Sequence, residues 1–391
     1  MSRIDDLIKQ YCPNGVEECS IAELCIPTNK GTLTQDKLTE KGKYPVINSG
    51  RELYGYYDSF NNDGERITIA SRGEYAGYIS YFNEKFWAGG LCYPYKVKDS
   101  NRLITKYLYY FLKYKEKYLM NNLVARGSIP ALNKMDVDKF KIPVPPMEVQ
   151  EEIVRILDKF TELEAELEAE LEARKKQYEY YRDNLLKFDE PNSNVVWKTL
   201  GELSLLITKG TTPKRYESSG VNFIKTESFE NNQINKNKLS FISKETHCGE
   251  LQRSVLEEND ILITIAGATI GKCVVVSKEL IPANTNQALA IIRLNDKNNV
   301  NYIFHLLRSI HMKKYILNCV KGSAQPNLNL KQLSEFKVPM IKYSEQERIV
   351  TILDKFDALV NDISEGLPAE LNARRKQYEY YRDKLLTFSE K

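Results

Sequence analysis

The chain contains two helix-forming segments, each of which occurs twice. Residues 150–160 read QEEIVRILDKF and residues 346–356 read QERIVTILDKF, while residues 173–183 read ARKKQYEYYRD and residues 373–383 read ARRKQYEYYRD. Near-identical stretches of this length, about half a chain apart, indicate two copies of one structural unit. Since the sequence between the copies differs, we expect the helices to form a shared scaffold and the remainder to form two separate globular parts.

The first helical segment carries an apolar stripe at three- and four-residue steps, which is typical of a helix with one buried face. Pro145 and Pro146 precede it, because proline is tolerated ahead of a helix and not within it. The pattern predicts a helix over about residues 148–187, and so long a helix with one stripe needs a partner helix. Its middle, residues 162–173, is the tetrad repeat ELEAELEAELEA. The stripe consists of Ile153, Ile156, Leu157, Phe160, Leu163, Leu167, Leu171, Tyr178, Tyr181, Leu185 and Phe188.

The second helical segment has a different middle. Sixteen residues (357–372) separate its two matched blocks, against twelve (161–172) in the first segment, and they include Gly366 and Pro368. Proline inside a helix costs about 3 kcal/mol or more. We therefore expect this helix to break here and to restart with Pro368 in its first turn.

Length and composition indicate a soluble protein of two globular units. The chain has 391 residues, which is more than one ordinary domain holds. No run of eighteen apolar residues occurs, the N-terminal sequence MSRIDDLIKQ lacks a signal-peptide core, and the seven cysteines form no CxxC pair. We expect the cysteines to be reduced and buried and the protein to be cytoplasmic.

Charge is unevenly distributed along the chain. The net charge is +4 over residues 1–147, −7 over residues 148–190, +8 over residues 191–343 and −2 over residues 344–391. These ranges are the expected domains, namely two globular parts that are each followed by a helical spacer. Basic globular parts favour a polyanionic partner, and acidic helices do not.

The two globular parts also match each other, although more faintly than the helices do. Short β-branched and aromatic runs with Gly and Asn turns predict strands in both parts, with a few helices. The matched pairs are 67–70 with 263–266 (both ITIA), 107–128 with 302–323, and 130–143 with 326–339 (both PxLN followed by FKxP).

The chain resembles the specificity subunit of type I restriction–modification systems in its helical blocks ending KQYEYYRD, its ELEA tetrads and its PxLN–FKxP motifs. The resemblance covers the whole chain. It implies an α+β fold, with two α/β target recognition domains separated by long helices that pair as an antiparallel coiled coil, in a pseudo-twofold internal repeat. It also implies that each domain reads one half of a bipartite, gapped DNA target. The helices would set the gap and dock methyltransferase (M) subunits, two of them, and restriction (R) subunits would join through the complex.

Catalytic signatures are missing from the sequence. The Asn-Pro-Pro-aromatic motif of adenine methyltransferases is absent, and GATIGKC at residues 267–273 is one residue short of a phosphate-binding loop, so a strand turn is the better interpretation. His247, His305 and His311 do not cluster with carboxylates at metal-ligand spacing. We expect a non-catalytic DNA-binding subunit without metal or cofactor, which directs enzymes carried on other chains.

Loops rich in cations, hydroxyls and amides are the candidate DNA contacts. Residues 209–216 (KGTTPKRY) suit phosphate oxygens, and the resemblance places DNA contacts here, although a plain solvated loop also fits. Residues 284–287 (NTNQ) carry amides that pair with adenine edges or serve turn geometry. The matched places in the first part are residues 30–32 and 126–128, and nearby tyrosines are further readers or strand-packing residues. The expected DNA-binding residues are Lys30, Thr32, Arg51, Tyr54, Tyr57, Arg72, Tyr75, Arg126, Ser128, Lys209, Thr211, Thr212, Lys214, Arg215, Asn286, Gln287, Lys321, Ser323 and Gln325.

The helices supply the candidate residues for the spacer and its partner helix. An alternative class of protein stays open, a coiled-coil adaptor whose basic parts bind an acidic protein, while a fragment of a fused restriction–methylation enzyme is disfavoured by the missing motifs. Strongly salt-dependent, sequence-selective binding to a bipartite duplex distinguishes the first two. The expected spacer residues are Leu163, Leu167, Leu171, Tyr178, Tyr181, Leu185, Tyr378, Tyr381 and Leu385.

Overall fold

The computed structural model describes residues 3–13, 15–188, 195–320, 327–362 and 365–388. The chain divides into two compact units: unit 1 comprises Met1–Ala165 and Ala373–Lys391, and unit 2 comprises Glu166–Asn372. Each unit therefore combines one globular part with portions of both helical segments.

Unit 1 is built mostly from short strands, with helices before, between and after them. Its strands are β1 (Glu17–Ser20), β2 (Cys25–Pro27), β3 (Tyr44–Ile47), β4 (Gly55–Tyr57), β5 (Arg66–Ala70), β6 (Ile79–Phe82), β7 (Trp87–Ala88), β8 (Cys92–Val97), β9 (Val124–Ala125), β10 (Ala131–Leu132) and β11 (Lys141–Val144). Its helices are α1 (Arg3–Tyr11), α2 (Ile21–Leu24), α3 (Thr105–Asn122), α4 (Lys134–Lys139) and α5 (Met147–Leu185), of which α5 continues into unit 2.

Unit 2 has a similar inventory of strands and helices. Its strands are β12 (Val196–Thr199), β13 (Ser204–Lys209), β14 (Val221–Ile224), β15 (Phe229–Glu230), β16 (Gln233–Ile234), β17 (Ser240–Ile242), β18 (Ile261–Thr264), β19 (Cys273–Val275), β20 (Ala283–Thr285), β21 (Leu289–Leu294) and β22 (Lys337–Met340). Its helices are α6 (Lys244–Cys248), α7 (Val300–Leu307), α8 (Ile310–Val320), α9 (Leu330–Glu335), α10 (Tyr343–Asn361) and α11 (Leu367–Leu385), of which α11 continues into unit 1.

The sheets of the two units have the same strand order. In unit 1 an antiparallel sheet has the order β2-β8-β5-β6, and a second sheet has the order β4-β3-β7, in which β3 and β7 run parallel. Unit 2 repeats both as β13-β21-β18-β19 and β17-β14-β20, with β14 and β20 parallel. The strand pairs β1-β11 and β12-β22 also correspond. This agreement confirms the predicted internal repeat.

The helical segments form and break where the sequence predicts. Helix α5 begins at Met147, directly after two prolines, and its 39 residues span about 58 Å at 1.5 Å per residue. In the second segment α10 ends at Asn361 and α11 begins at Leu367, with Pro368 as its second residue. Proline is tolerated there because the first amides of a helix have no intrahelical partner.

Two helices of unit 1 pack against each other in antiparallel orientation. The ring of Phe160 on α5 stacks on Tyr381 of α11, with centroids 5.5 Å apart. One turn further along α5, Glu164 accepts a hydrogen bond of 2.6 Å from Nε of Arg375. Since the contacts move towards the start of α11 as they move towards the end of α5, the pairing is antiparallel, as predicted.

The same ring contact recurs in unit 2. Tyr181 of α5 stacks on Phe356 of α10, with centroids 5.4 Å apart. Phe356 corresponds to Phe160, and Tyr181 corresponds to Tyr381, in the repeated blocks of sequence. Each unit therefore holds its helix pair together with one phenylalanine and one tyrosine from opposite copies of the repeat.

The asparagines of the two PxLN motifs are helix caps. The side chain of Asn133 accepts from the amide of Met135 at the start of α4, at 3.0 Å. Asn329 accepts from the amide of Gln332 at the start of α9, at 2.8 Å. Asparagine is among the preferred residues at this position because its side-chain oxygen satisfies an amide that the helix leaves unbonded.

The prolines of the two FKxP motifs receive equivalent hydrogen bonds. The buried hydroxyl of Tyr107 on α3 donates to the carbonyl of Pro143 at 2.9 Å. The buried hydroxyl of Tyr302 on α7 donates to the carbonyl of Pro339 at 2.7 Å. The final strand of each globular part is therefore tied to the helix that packs beneath the sheet.

The predicted match between the two ITIA stretches is wrong by two residues. The amide of Gly77 donates to the carbonyl of Ala70, and the amide of Gly271 donates to that of Thr264. Both glycines have positive φ, 94° and 88°, which favours glycine, and they close the same turn. Ala70 therefore corresponds to Thr264 and not to Ala266.

The predicted match of residues 30–32 with residues 209–211 is wrong by one residue. Strand β2 pairs with β8 without interruption, whereas β13 carries a β-bulge between Ser204 and Leu206. Leu205 is the extra residue, and 71% of its surface is exposed. Beyond the bulge the two stretches are one residue out of register.

Each unit has a hydrophobic core between its sheet and its helices. The core of unit 1 includes Ile69 of β5, Leu108 of α3 and Leu157 of α5, and that of unit 2 includes Ile263 of β18 and Leu353 of α10, all fully buried. No helix among the described residues is both long and apolar enough to cross a membrane.

Candidate nucleic-acid interface

Three loops of unit 2 leave its four-stranded sheet at one end. Strand β13 ends at Lys209, opposite Ala290 near the start of β21, and β18 ends at Thr264, opposite Leu289. Because these strands are antiparallel, the segments after β13 and β18 meet the segments before β19 and β21. We call this set the unit 2 loop end, and it comprises residues 210–216, 265–272 and 286–288.

Close backbone contact at the unit 2 loop end requires a glycine. A Cβ atom on Gly210 would overlap the carbonyl oxygens of Thr285 and Asn286. The amide of Thr211 donates to the carbonyl of Thr285 at 3.0 Å. The loop after β13 is therefore tied to the segment before β21, which brings Thr211 to the stretch of chain that carries Asn286 and Gln287.

Several side chains at the unit 2 loop end are among the DNA-binding residues expected from the sequence. The amide of Ala288 donates to Oδ1 of Asn286 at 3.2 Å, so the Nδ2 group of Asn286 remains available as a donor. Arg253 donates from Nη2 to the hydroxyl of Thr211 at 3.3 Å. Arg253 was not among the candidates expected from the sequence, because only the fold brings it to this loop. The exposed or half-buried candidates here are Lys209, Thr211, Thr212, Asn286 and Gln287.

Lys214 and Arg215 extend into solvent from the same loop. Their side chains are 85% and 81% exposed, and they pair with Glu250 at 3.4 Å and with Glu217 at 2.8 Å. Exposed ion pairs of this kind contribute about 0–1 kcal/mol. A phosphate group can therefore replace either carboxylate at little cost.

Asn284 is not available for reading a base, contrary to its place in the predicted NTNQ amide cluster. The residue is fully buried. Its Nδ2 donates to the carbonyl of Leu251 at 2.9 Å, and its Oδ1 contacts Nδ1 of His247 at 2.5 Å. Its amide holds the parallel strand β20 in place, and burial of this kind is not visible in a four-letter motif.

The corresponding loops of unit 1 meet at the same end of its sheet. Strand β2 ends at Pro27, opposite Tyr95, and β5 ends at Ala70, opposite Cys92 at the start of β8. We call this set the unit 1 loop end, and it comprises residues 28–32, 71–78 and 89–91.

Lys30 and Thr32 lie at the unit 1 loop end, as predicted. Nζ of Lys30 donates to the carbonyl of Gly90 at 3.0 Å and lies 4.8 Å from the ring centre of Tyr93. Thr32 packs against Gly90, because a Cβ atom there would lie 2.9 Å from its hydroxyl oxygen. Both side chains are exposed.

Arg51 and Arg72 join this set from two different loops. The guanidinium of Arg51 lies 5.0 Å from the ring centre of Tyr75, which brings the loop after β3 to the loop after β5. Arg72 forms a β-bridge to Ala131. The hairpin formed by β9 and β10 is therefore attached to the unit 1 loop end.

The remaining candidates of unit 1 have different surroundings. Arg126 and Ser128 lie exposed in the turn of the β9-β10 hairpin, and Arg126 donates to Asn121 at 3.3 Å. Tyr54 is 48% exposed. Tyr57 packs edge-on against Trp87, with ring centroids 5.3 Å apart, so it packs strands together rather than offering a free ring.

Cations at the unit 1 loop end are free of carboxylates. Among the described residues, no ion pair joins Lys30, Arg51, Arg72 or Arg126 to an acidic side chain. Unneutralised cations raise the local positive potential, which attracts a polyanion. Donors, hydroxyls and positive charge together are the chemistry that nucleic acid requires.

The spacer candidates lie on the helices as expected, and three interface candidates cannot be placed. Lys321, Ser323 and Gln325 lie outside the described residues. Leu163 and Leu167 are half-buried on α5. Leu171, Tyr178 and Leu185 pack into the core of unit 2, and Tyr378 and Leu385 pack into that of unit 1.

Thiols and histidines do not form a reactive centre at either loop end. Burial raises the pKa of the Cys92 and Cys273 thiols to about 12 each, so both stay protonated at neutral pH. All seven cysteines are free, but Cys248 is exposed and Cys12 and Cys319 are only half-buried, so the expectation that the cysteines are buried is wrong for these three. Within the described part of the chain, no three His, Cys, Asp or Glu side chains are grouped to hold a metal ion.

Comparison with known proteins identifies the family. The family model for the type I restriction modification DNA specificity domain matches residues 13–173 and again residues 192–373. The EcoR124I/EcoR124II specificity subunit of Escherichia coli is 33% identical over 368 residues, which cover 88% of this chain and 87% of that one. A Haemophilus influenzae protein, whose name assigns it to the same class, is 32% identical over 381 residues, 93% of each chain.

A solved structure has the same fold. The crystal structure of a type I restriction–modification S subunit from M. genitalium superposes with a TM-score of 0.62 at 21% identity, covering 96% of this chain and 97% of that one. The chain thus belongs to the type I restriction–modification DNA specificity family. These comparisons confirm the predicted fold class and the predicted class of protein, a specificity subunit with two target recognition domains rather than an enzyme.

Proposed function

We propose that each unit reads one half of a bipartite, gapped DNA sequence through its loop end, and that the helices set the gap. In this assignment residues 1–147 and 191–343 are the two target recognition domains. Residues 148–190 and 344–391 are the helical spacers. The site of action is the cytoplasm, where the DNA and the partner subunits are found.

The observation that carries this proposal is the convergence of cations, hydroxyls and amides at the same sheet end in both units. The two ends are equivalent in topology but differ in side chains, since unit 1 offers arginines and tyrosines while unit 2 offers threonines and amides. Arginine suits guanine and asparagine or glutamine suits adenine in the major groove. Two different half-sites are the expected consequence.

Within each loop end we assign two kinds of contact. Flexible lysines, hydroxyls and backbone amides fit phosphate oxygens, which position the duplex without reading it. The planar groups of Arg51, Arg72, Asn286 and Gln287 fit base edges. By sequence Gln325 belongs with the base-edge contacts, and Lys321 and Ser323 belong with the phosphate contacts. The other phosphate contacts are Lys30, Thr32, Arg126, Ser128, Lys209, Thr211, Thr212, Lys214 and Arg215.

The repeated helices are the docking surface for methyltransferase (M) subunits. Tyr180 and Tyr380 occupy the same place in the two copies of KQYEYYRD and are 67% and 65% exposed. Exposed tyrosines are frequent anchors of protein interfaces because they bury a large area with few rotatable bonds. Two equivalent surfaces accommodate two M subunits, and R subunits join through the complex so formed.

An exchange of one recognition domain tests the proposal. Residues 191–343 are replaced by the corresponding segment of another family member, with His305 and Arg308 retained because they contact the carboxylates of Asp354 and Asp357 on α10. Methylated bases are then mapped in DNA from cells that carry the chimaera with its M subunits. We expect one half of the target to change and the other half to stay the same.

The reciprocal exchange of residues 1–147 is the matched control and should change only the other half. A chimaera in which both halves change together would contradict the assignment of one half-site to each unit. Loss of sequence-selective, salt-dependent DNA binding from the parent would instead favour an adaptor for an acidic protein.

A further inference from the structure

Unit 2 contains a cavity beside its loop end, with which it shares Gly271 and Lys272. The cavity has a volume of about 360 Å³ and lies between the end of α5, the turn before β19 and the end of α10. Ligand sites commonly have volumes of roughly 300–1,000 Å³. Its walls include Tyr178, Arg182, Lys272 and Arg308.

Two buried arginines at this cavity have unsatisfied donors. Arg182 and Arg308 are only 4% and 9% exposed. Arg182 donates from Nε to Asp183 at 3.0 Å, and Arg308 donates from Nη2 to Asp357 at 2.7 Å. Among the described residues, Nη2 of Arg182 and Nη1 of Arg308 have no partner. Both nitrogens are closed to solvent, and a buried charged donor without an acceptor is costly, so a rotation of either guanidinium that brings it to an acceptor in the cavity is favoured.

The two guanidinium groups lie close to the same aromatic ring. Each is 5.4 Å from the ring centre of Tyr178. Oδ1 of Asp357 accepts from Arg308, from Asn361 at 2.9 Å and from Asn232 at 3.3 Å. An additional oxyanion is the group that would complete the hydrogen bonding.

The charge at the cavity is positive. Its cations are Arg182, Arg308, Lys175, Lys272 and Lys313. Three carboxylates line it or bond to those cations, namely Glu179, Asp183 and Asp357. Positive charges therefore exceed negative ones by two, which matches the charge of about −1.5 to −2 on a phosphate monoester at neutral pH.

Unit 1 lacks this arrangement at the equivalent place. The turn contacts that equate Ala70 with Thr264 also equate Tyr78 with Lys272. The offset that relates Tyr107 to Tyr302 equates Lys113 with Arg308. Lys113 lies 4.0 Å from the ring centre of Tyr78 and pairs with Glu116 at 2.7 Å. The fold of the repeat therefore does not require a paired-arginine cavity.

We propose that the cavity of unit 2 binds a phosphate group. The forked donors of Arg182 and Arg308 suit the oxygens of phosphate, because a guanidinium presents two parallel N–H groups. Lys272 adds a positive charge on a flexible side chain to the lining of the cavity. Inorganic phosphate and small phosphate monoesters have this chemistry in free form, and a backbone phosphate of DNA has it in bound form.

The test compares the full chain with a variant in which two residues of unit 2 are replaced by their counterparts in unit 1. The double variant R308K and K272Y installs the side chains that unit 1 has at these places. Inorganic phosphate is titrated into each protein by calorimetry in phosphate-free buffer, without DNA, and the thermal midpoint is measured with and without phosphate. We expect binding and a raised midpoint for the parent, and binding weakened about tenfold or more in the variant, since each lost charged hydrogen bond contributes about 1.5–3 kcal/mol.

The control variant is K297A, which removes an exposed lysine that does not line the cavity and should bind phosphate like the parent. A second arm measures the affinity of both proteins for duplex DNA. If the parent binds no free phosphate but R308K/K272Y binds the duplex more weakly than the parent, the phosphate that the cavity binds is one of the DNA backbone. Equal phosphate affinity in parent and double variant, or no effect in either arm, would overturn the proposal. Because the first arm contains no DNA, its result is independent of the proposed recognition of half-sites.

Discussion

Deleting one tetrad from α5, residues 167–170, tests the helix as a spacer. Leu167 is half-buried on the helix, and Glu168 and Glu170 are exposed. After the deletion Glu166 stands four residues before Arg174 and replaces Glu170, which now bonds Arg174 at 2.7 Å. The apolar stripe also continues, because Leu163 then stands four residues before Leu171. The helix should therefore form as before.

The size of the effect follows from helix geometry. Four residues correspond to about 6 Å of rise and about 400° of rotation, which is a net rotation of about 40°. One base pair of DNA rises about 3.4 Å and turns about 35°. The rotations nearly agree and the rise exceeds one step, so the gap between half-sites should shorten by about one base pair, and by two at most. The second helical segment is already interrupted, since α10 ends at Asn361 and α11 begins at Leu367.

Methylation mapping of DNA from cells carrying the deletion variant and its M subunits measures the gap directly. A variant of unchanged length, E168Q with E170Q, is the control and should keep the parental gap. We expect both half-sites of the deletion variant to keep their sequences. An unchanged gap, or an altered half-site with the parental gap, would refute the spacer role and leave α5 as a docking surface alone.

Two further predictions concern phosphate contacts and pH. Replacing Lys214 and Arg215 with alanine should weaken binding to every duplex alike and lower the slope of log affinity against log salt concentration by about one per lost phosphate contact. The control K297A should change neither quantity. A loss of affinity confined to one base position would assign the pair to base reading instead. Burial lowers the pKa of His305 below its ordinary value of 6.5 despite Asp354 at 2.7 Å, so the folded state binds this proton less readily than the unfolded state. The free energy of unfolding, measured in urea, should not depend on this group above about pH 6.5. Below that pH it should decrease, by at most about 1.4 kcal/mol per pH unit. H305Y should reduce that fall, since Tyr110 donates to Asp158 at the equivalent place in unit 1, and an unchanged pH dependence would show that other groups cause it.

The features that sequence alone predicts are those with local physical causes. Helix α5 follows from a 3.6-residue stripe, and the break before α11 follows from Pro368, because both depend on neighbours along the chain. The asparagine caps of α4 and α9 also have local causes, although the sequence analysis used the PxLN motifs only as a repeat match. Their signals are contained within a few residues, so no knowledge of the fold is needed to find them.

The features that sequence misses depend on which strands become neighbours. The two ITIA stretches agree letter by letter, yet the turns at Gly77 and Gly271 set the register differently. The bulge at Leu205 shifts the following loop by one residue, and nothing in the strand's composition indicates it. Burial of Asn284 and the approach of Arg253 to Thr211 likewise result from long-range contacts.

A few hydrogen bonds join each globular part to the helix that follows it. They show how the two globular parts can differ in sequence while the helices stay nearly the same. In unit 1 the carboxylate of Asp158 on α5 accepts from Tyr110 and from Lys106. In unit 2 Asp354 on α10 stands at the matched place and accepts from His305. The partner has changed, but in both units a donor on the helix after the sheet meets the same carboxylate.

The boundary between each globular part and its helix lies among the helices. In the proposed function, a substitution at a loop end alters the surface offered to DNA and leaves in place the donors that bond Asp158 and Asp354. Conversely, a change at the boundary is tolerated if a donor is replaced by a donor, as the tyrosine and histidine partners of Asp158 and Asp354 illustrate. Because the proposed DNA contacts and these donors are different residues, the proposed function lets the sequence read by each unit vary while the fold is kept.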